Sequence, residues 1–483
     1  MGITVKNICC IGAGYVGGPT MTMMASKCPD LDFNVVDINE ERIASWNNKD
    51  LSKLPIFEPG LQELIAKTRN KNLFFSSNIK EAIESADMIF ISVNTPTKTK
   101  GLGAGKSSDL KWVEASAREV SRYSKGYTIV VEKSTLPVRT AEVIENILNS
   151  AETNSRRKEI SFDVLSNPEF LAEGTAIKDL DNPDRVLIGG KNKQAMNALS
   201  NIYKVWVPED KILYTNIWSS ELAKLTSNAF LAQRISSINS ISAICEVTGA
   251  DVREVSRAIG KDTRIGSKFL DSGPGFGGSC FKKDILNLVY LAEYFDLYDV
   301  AKFWEGVVNI NNWHQRRIAE IVIRKLFGTI TGKKIVILGF AFKANTNDTR
   351  ESAAIRICKD LIEEGADLII HDPKVSPDQI EKDLKVKQIS ETNINPDSLI
   401  KSQIGQWKFS KSIDIFDDAH AILVLTEWEE YKHIEWQKAS KKMVKPSWVF
   451  DSRSIVNAEE VIKSGLKLWR LGDGSQNKEM RNS

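Results

Sequence analysis

Histidine is scarce: His314, His371, His420 and His433 are the only four in 483 residues, and no two are closely paired. A histidine-based zinc site is therefore not expected, and no metal is assigned. Cysteine is also sparse. Cys9, Cys10, Cys28, Cys245, Cys280 and Cys358 are scattered and form no CxxC pair. That spread points to a reduced, cytoplasmic compartment and away from a disulfide framework. No apolar run reaches the roughly 18 residues of a transmembrane helix, so no membrane partner is expected. Met1 to Cys10 lacks the charged and apolar blocks of a signal peptide. Neither sign of charge dominates: 65 basic and 63 acidic side chains leave a net charge of +2. Nothing in that balance asks for nucleic acid. What is present, 42% hydrophobic and 27% charged residues, is ordinary for a globular protein and excludes disorder of the whole chain. The length suits about three domains.

The first part alternates apolar strand patterns with helical stretches. Val5–Ile11, Phe33–Asp37, Met88–Val93, Thr128–Val131 and Asp163–Leu165 read as buried parallel strands. Ala151–Ile160 is polar and reads as a surface loop. From Trp218 the texture changes: Ser219–Glu246 has no glycine or proline. Leu222, Leu225, Ala229, Ala232, Ile235, Ile238 and Ile241 recur at helical spacing, which predicts one long helix. Strand patterns restart at Lys333–Leu338, Leu368–Asp372 and Ala421–Thr426. The order of strand, glycine turn, helix and acid-ended strand occurs twice. The predicted fold is α/β, with two Rossmann-like doubly wound domains joined by a central helical domain. The expected boundaries are 1–217, 218–326 and 327–471, with 472–483 a flexible tail. Asp378–Lys411 is polar and poorly periodic, and reads as a surface excursion.

Gly12-Ala13-Gly14-Tyr15-Val16-Gly17 is a GxGxxG motif that follows a strand and opens a helix. Asp37 stands twenty residues after Gly17. Gly12 permits the turn, Gly14 lets backbone approach a pyrophosphate, and Gly17 lets helix pack on strand. Asp37 would accept from ribose hydroxyls and repel a 2′-phosphate, so NAD is expected over NADP. The second half has Gly339-Phe340-Ala341-Phe342-Lys343 instead, which suits another phosphate-bearing ligand held in part by Lys343. Gly273–Asp284, GPGFGGSCFKKD, has four glycines within six residues and exposes a backbone path around Cys280. Cations beside a cysteine favour the thiolate, the form that attacks carbonyl carbons. A buried cysteine in a glycine turn is the alternative.

The chain resembles the UDP-glucose/GDP-mannose dehydrogenase family, in its animal-type UDP-glucose-oxidising branch, from about Val5 to Arg470. The resemblance rests on seven ordered motifs: Ile11–Gly18, Ile91–Thr97, Glu132–Pro137, Ser166–Ala176, Ser219–Phe230, Phe276–Asp284 and Gly339–Lys343. It implies a four-electron oxidation of UDP-glucose to UDP-glucuronate with two NAD. The implied course is aldehyde, cysteine thiohemiacetal, thioester and hydrolysis. The implied catalytic residues are Cys280 as nucleophile, Lys224 at the oxyanions, Asn228, Asp284, Glu169 as base for hydrolysis, and Thr135. Cofactor contacts are implied for Arg42, Val93, Thr95, Ser134, Thr135, Glu173, Lys283 and Arg350 besides the glycine turn and Asp37. Substrate contacts are implied for Glu169, Phe170, Leu171, Glu173, Lys224, Asn228, Arg264, Phe269, Phe276, Gly277, Lys343 and Arg453.

Arg264 is implied to reach the substrate of a neighbouring subunit. A homo-oligomer, either a hexamer built as a trimer of dimers or a dimer, and feedback inhibition by UDP-xylose are further expectations from the resemblance. Lys282 departs from the proline or glutamine of many relatives, and the tail after Arg470 is shorter than in vertebrate ones. A relative acting on GDP-mannose or a UDP-N-acetylhexosamine is the main alternative. A single-oxidation hydroxyacid-type dehydrogenase is another, and it would need no cysteine. A nucleotide-sugar-binding protein without catalysis is the reading outside enzymes.

Overall fold

The computed structural model describes residues 3–134, 139–152, 160–388 and 405–475. It divides into two compact units, residues 1–227 with 286–301, and residues 228–285 with 302–483.

The first unit is built on eight strands: β1 (Asn7–Ile11), β2 (Asp32–Val36), β3 (Leu73–Ser76), β4 (Met88–Ile91), β5 (Thr128–Glu132), β6 (Phe162–Ser166), β7 (Val186–Gly189) and β8 (Ile212–Thr215). Their order across the sheet is β3-β2-β1-β4-β5-β6-β7-β8. Neighbours are parallel except β6 and β7, which meet antiparallel. Ile11 pairs with Val36 on one side and Ile91 on the other. The strand order therefore reverses between β1 and β4, where an open parallel sheet leaves a crevice beyond its carboxyl ends. Every residue of β4 and β5 is buried, which is why β4 reads as an unbroken apolar run and β5 as a short one, Ile129–Val131, between Thr128 and Glu132. Successive side chains go to opposite faces. Ile8, Cys10, Phe33 and Phe90 join Met21, Met24 and Trp46. Cys9, Ile11, Ile89 and Ile91 join Val113, Ala117, Val120 and Ile144.

The second unit repeats the winding. Its strands are β9 (Lys334–Leu338), β10 (Asp367–His371), β11 (Gln406–Phe409), β12 (Ala421–Val424), β13 (Trp448–Asp451) and β14 (Lys467–Arg470). The order is β11-β10-β9-β12-β13-β14, parallel throughout. Between the sheets in sequence lie the helices Ile217–Thr248, Val252–Gly260, Phe281–Tyr294 and Tyr298–Lys325. The first is 32 residues long and the last 28. The predicted α/β class, with two doubly wound sheets and a long helix, is thus found.

Several details differ from expectation. The long helix exposes Leu222 and Ile241, together with Phe230, Ile244 and Val247, and buries Lys224, Asn228, Asn239 and Glu246. Its buried stripe is chosen by polar partners as much as by apolarity. The stretch 378–411 is more than an excursion: it holds most of the helix Pro377–Leu384, with Ser376 as N-cap, and the edge strand β11. Residues 389–404 lie outside the described residues, as do 153–159 of the expected loop and 476–483 of the expected tail. The tail's first residues are held. The Gly472 N–H donates to the Glu246 carboxylate at 2.9 Å, and the Gly474 N–H donates to Ala250 O at 2.8 Å. Among the described residues, no helix is long and apolar enough to cross a membrane.

Candidate active site

The glycine turn follows β1 at the switch point. Gly12 has φ +111°, and a Cβ there would lie 2.4 Å from Ser92 O. A Cβ at Gly17 would lie 2.0 Å from Gly12 O, so the helix Gly17–Lys27 closes directly on the turn. Gly14 is different: a Cβ there would meet nothing within 4 Å. Two of the three glycines are thus required by the chain's own packing, and the middle one leaves a bare backbone surface. The helix that follows has no side-chain cap and no acid in its first turn. Its N-terminal dipole suits an anion. Ala13, Tyr15 and Val16 complete the turn, with Tyr15 and Val16 half-buried.

Asp37 lies just past β2 and faces this turn. Its carboxylate accepts from Ala13 N–H and from Arg42 Nη1, each at 2.9 Å, and from Asn39 N–H at 2.9 Å. Val93 and Thr95 follow β4, and Ser134 follows β5. Ser134 Oγ donates to Val93 O at 2.8 Å, joining the two strand ends. Thr135 lies outside the described residues. A cradle with an open middle glycine, a helix N-terminus and an acid at the next strand end is consistent with a dinucleotide.

A second group in the first unit follows β6. Lys224 Nζ lies 3.3 Å from Glu169, and the two side chains are 4% and 6% exposed. Such a buried ion pair is costly to leave half-made. Glu169 also accepts from Leu171 N–H at 2.9 Å. Phe170 lies between two cations, with Arg185 at 3.8 Å from its ring centroid and Lys224 at 5.4 Å. Glu173 stands in the same loop, half-buried.

In the second unit, Asn228 Nδ2 donates to Asp284 at 2.6 Å, and Asp284 is fully buried. Lys283 Nζ is 4.0 Å from the same carboxylate. Both acidic and basic residues belong to the first turns of the helix Phe281–Tyr294, immediately after Cys280. Cys280 is half-buried, and the other five cysteines are buried. Its Sγ is 3.3 Å from Ser279 Oγ. The glycine loop before it is clamped. Asn311 accepts from Phe276 N–H at 2.8 Å and donates to Phe276 O at 3.2 Å. Asn239 accepts from Gly273 N–H at 3.0 Å, and a ring nitrogen of His314 bonds Gly273 O at 3.0 Å. Burial holds the His314 imidazole down at about 4, so it is neutral near pH 7. A Cβ at Gly277 would lie 2.7 Å from Glu351 O, and Gly278 N–H donates to Arg350 O at 2.8 Å. Phe269 and Phe276 both set their rings against Phe281.

After β9, Lys343 Nζ sits over the Phe342 ring at 5.6 Å. Arg453 donates to Phe342 O and Leu425 O, each at 2.9 Å, and pairs with Glu427 at 3.1 Å. Phe342 thus touches both, its ring under Lys343 and its carbonyl on Arg453. Arg350 is held by Asp348 at 2.6 Å. Arg264 stands apart from these groups, its side chain 88% exposed and paired with Asp262. The residues missed from sequence are the loop clamps Asn239, Asn311 and His314, and a buried trio, Lys133, Asn167 and Tyr203. A lysine directly after the buried run Thr128–Glu132 was the one available signal for the trio.

A glycine turn at the switch point of a doubly wound sheet, closed by an acid at the end of the next strand, defines the class of Rossmann-type dinucleotide-binding proteins. Residues 6–207 match the NAD binding domain of the UDP-glucose/GDP-mannose dehydrogenase family, 218–313 its central domain and 336–458 its UDP binding domain. The chain belongs to that family, and NAD is its cofactor. It is 53% identical to the UDP-glucose 6-dehydrogenase of Bos taurus over 474 residues, covering 97% of this chain and 93% of that one. It is 52% identical to the Drosophila melanogaster UDP-glucose 6-dehydrogenase, covering 96% of each chain. The solved UDP-glucose dehydrogenase of Pyrobaculum islandicum superposes with a TM-score of 0.79 at 28% identity, covering 97% and 98% of the two chains.

Proposed function

We propose that the chain oxidises UDP-glucose to UDP-glucuronate, taking four electrons from C6 with two NAD. The observation that carries this reading is Cys280. It is the one cysteine of six that is not buried, and it ends a clamped glycine loop directly before Lys283 and Asp284. A single alcohol oxidation needs no nucleophile. An aldehyde needs one, because its carbon must gain a heteroatom before it can lose a second hydride.

Bound NAD supplies the hydride acceptor for both oxidations, held by Gly12–Gly17, Asp37, Arg42, Val93, Thr95, Ser134, Thr135, Glu173, Lys283 and Arg350. The Lys224 ammonium stabilises oxygen as it becomes anionic, first at the alcohol and then at the thiohemiacetal. Cys280 Sγ adds to the aldehyde carbon and leaves when water attacks the thioester. Glu169 takes the proton of that water. Asn228 fixes the Asp284 carboxylate for proton transfer. The resemblance alone gives Thr135 a part beside the nicotinamide or the hydrolytic water. Phe276 and Gly277 present backbone to the sugar, with Phe170, Leu171 and Phe269 beside it. Lys343 and Arg453 hold the diphosphate of UDP.

We further propose a functional division into 1–217, 218–326 and 327–471, in a cytoplasmic homo-oligomer. The exposed apolar side chains Leu222, Phe230, Ile244 and Val247 on the long helix support packing against a second copy, and the exposed Arg264 suits contact with a neighbour. Inhibition by UDP-xylose rests on the resemblance alone. The test is to count NADH formed per UDP-glucose consumed, beside Cys280→Ser. Two NADH, a UDP-glucuronate product and no net turnover in the variant are expected. One NADH with an aldehyde product overturns the mechanism. Turnover only with another nucleotide sugar overturns the substrate.

A further inference from the structure

Lys133 is 3% exposed, and its direct partners are neutral oxygens. Its Nζ donates to Asn167 Oδ1 at 2.9 Å and to Tyr203 Oη at 3.1 Å. The Tyr203 hydroxyl donates to the same Asn167 oxygen at 2.7 Å. The Asn167 amide nitrogen donates to Leu187 O at 2.8 Å. Both ends of the Asn167 amide are thus engaged, and its backbone N–H donates to Glu132 O at 2.9 Å. Burying an ammonium away from a directly contacting carboxylate costs several kcal/mol, so its place asks for a reason. The reason is two residues further along the chain. Asn167 and Pro168 lead into Glu169, and the field of Glu169 is the largest attraction that Lys133 experiences.

We propose that Lys133 is a positioning residue for Glu169: a second ammonium, anchored by Tyr203 and Asn167, whose charge acts on the Glu169 carboxylate and which holds the loop bearing it for the hydrolytic step. The inference rests on the reading of Glu169 as the base of thioester hydrolysis. Glu169 then lies in the field of two cations, Lys224 in contact and Lys133 bonded to Asn167, two residues before it. The charged or titratable groups that face Lys133 are Glu169 after β6, Lys224 on the long helix, Cys10 on β1 and Tyr203 at the end of the helix Lys193–Tyr203. Burial lowers the Lys133 ammonium to about 8, and repulsion from Lys224 works in the same direction, against attraction by Glu169. The support it gives is therefore present below about pH 8 and fades above.

The test compares Lys133→Met, Lys133→Arg and Tyr203→Phe with wild type, by pH profile and by the NADH burst of the first turnover. Lys133→Met is expected to keep the burst and lose about tenfold in steady-state kcat. Its KM for UDP-glucose stays within about threefold, and the acid limb of kcat moves up by about one pH unit. Lys133→Arg, which keeps the charge, restores the acid limb. Tyr203→Phe removes an acceptor from the ammonium, so its alkaline limb moves to lower pH. A folded Lys133→Met with unaltered kcat and acid limb overturns the proposal. If that variant does not fold, an alkaline limb in Tyr203→Phe at the wild-type position overturns it. Wild type that does not yield two NADH per UDP-glucose removes the underlying reading itself; two NADH with unaltered variants removes only the role of Lys133.

Discussion

Replacing Gly14 by alanine separates what the glycine turn does for the fold from what it does for a ligand. A methyl at Gly14 meets no protein atom within 4 Å, and Gly14 is not among the glycines with positive φ. The folded protein should therefore tolerate it, and the loss of chain freedom in the unfolded state would even add up to ~1 kcal/mol of stability. The same methyl stands where a pyrophosphate must approach the backbone. Forcing a methyl into a close contact costs about 1–3 kcal/mol, which raises the Kd for NAD by about 5- to 150-fold. Gly17→Ala is the control. Its methyl would lie 2.0 Å from Gly12 O and 3.1 Å from both Cys10 Sγ and Ser92 Cβ, so the helix has to shift. That variant should lose ~3 kcal/mol or more of stability before any ligand is added. Denaturant unfolding without NAD and NADH fluorescence titration read the two quantities separately. A Gly14→Ala protein that binds NADH like wild type would show that the dinucleotide does not lie over this turn. One that unfolds like Gly17→Ala would refute the packing distinction.

Asn311→Leu strips both hydrogen bonds from Phe276 and leaves two buried backbone groups unpaired, at about 1–3 kcal/mol each. The expected result is a KM for UDP-glucose raised at least tenfold with NADH affinity unchanged, read from initial rates and fluorescence. Glu132 and Glu221 are both buried, and burial raises both carboxyls, Glu221 from the ordinary value near 4.5 to about 7. A raised carboxyl binds more protons folded than unfolded, so its contribution to stability is full at low pH and is lost as pH rises through the folded value. Urea unfolding should therefore show wild type losing stability from about pH 4.5 to 7 relative to Glu221→Gln, and parallel curves would refute the shift by burial.

What could be read from sequence was local. The paired strand and turn patterns marked both sheets, because a strand buried on both faces is apolar nearly throughout, as at β4. The turn and Asp37 were legible because a close backbone approach demands glycine at fixed spacing. Two strands of four residues were lost for want of an apolar run, although β4 and β12, equally short, were found. β3 alternates buried and exposed residues, and β8 exposes Leu213 and Tyr214, so neither shows a long apolar run. The Lys133, Asn167 and Tyr203 trio was illegible for another reason. Its members are separated by 34, 36 and 70 residues and meet only once the sheet has formed. The Phe276 clamp likewise needs Asn311, 35 residues downstream.

The two sheets share a winding but not a use, and the acids at their strand ends show why. Each turn is closed by a carboxylate just past the neighbouring strand, Asp37 after β2 and Asp372 after β10. Among the described residues Asp37 accepts from three donors, one of them the Arg42 side chain, which is 42% exposed and able to swing away. Asp372 accepts from five: Phe340, Ala341, Lys374 and Val375 N–H and the Trp428 indole. A carboxylate offers about four lone-pair sites, so Asp372 has nothing left for a ribose. The turn before it is filled as well. Phe340 is fully buried in the core of the second unit, and Ala341, buried too, stands where the first turn has Gly14. Backbone cannot approach a pyrophosphate there as it can at Gly14. A phosphate-bearing ligand on the second sheet must be held by side chains instead, the part our proposal gives to Lys343 and Arg453. One backbone plan thus carries a dinucleotide where its acid is left open, and a different nucleotide where its acid has been spent on the turn.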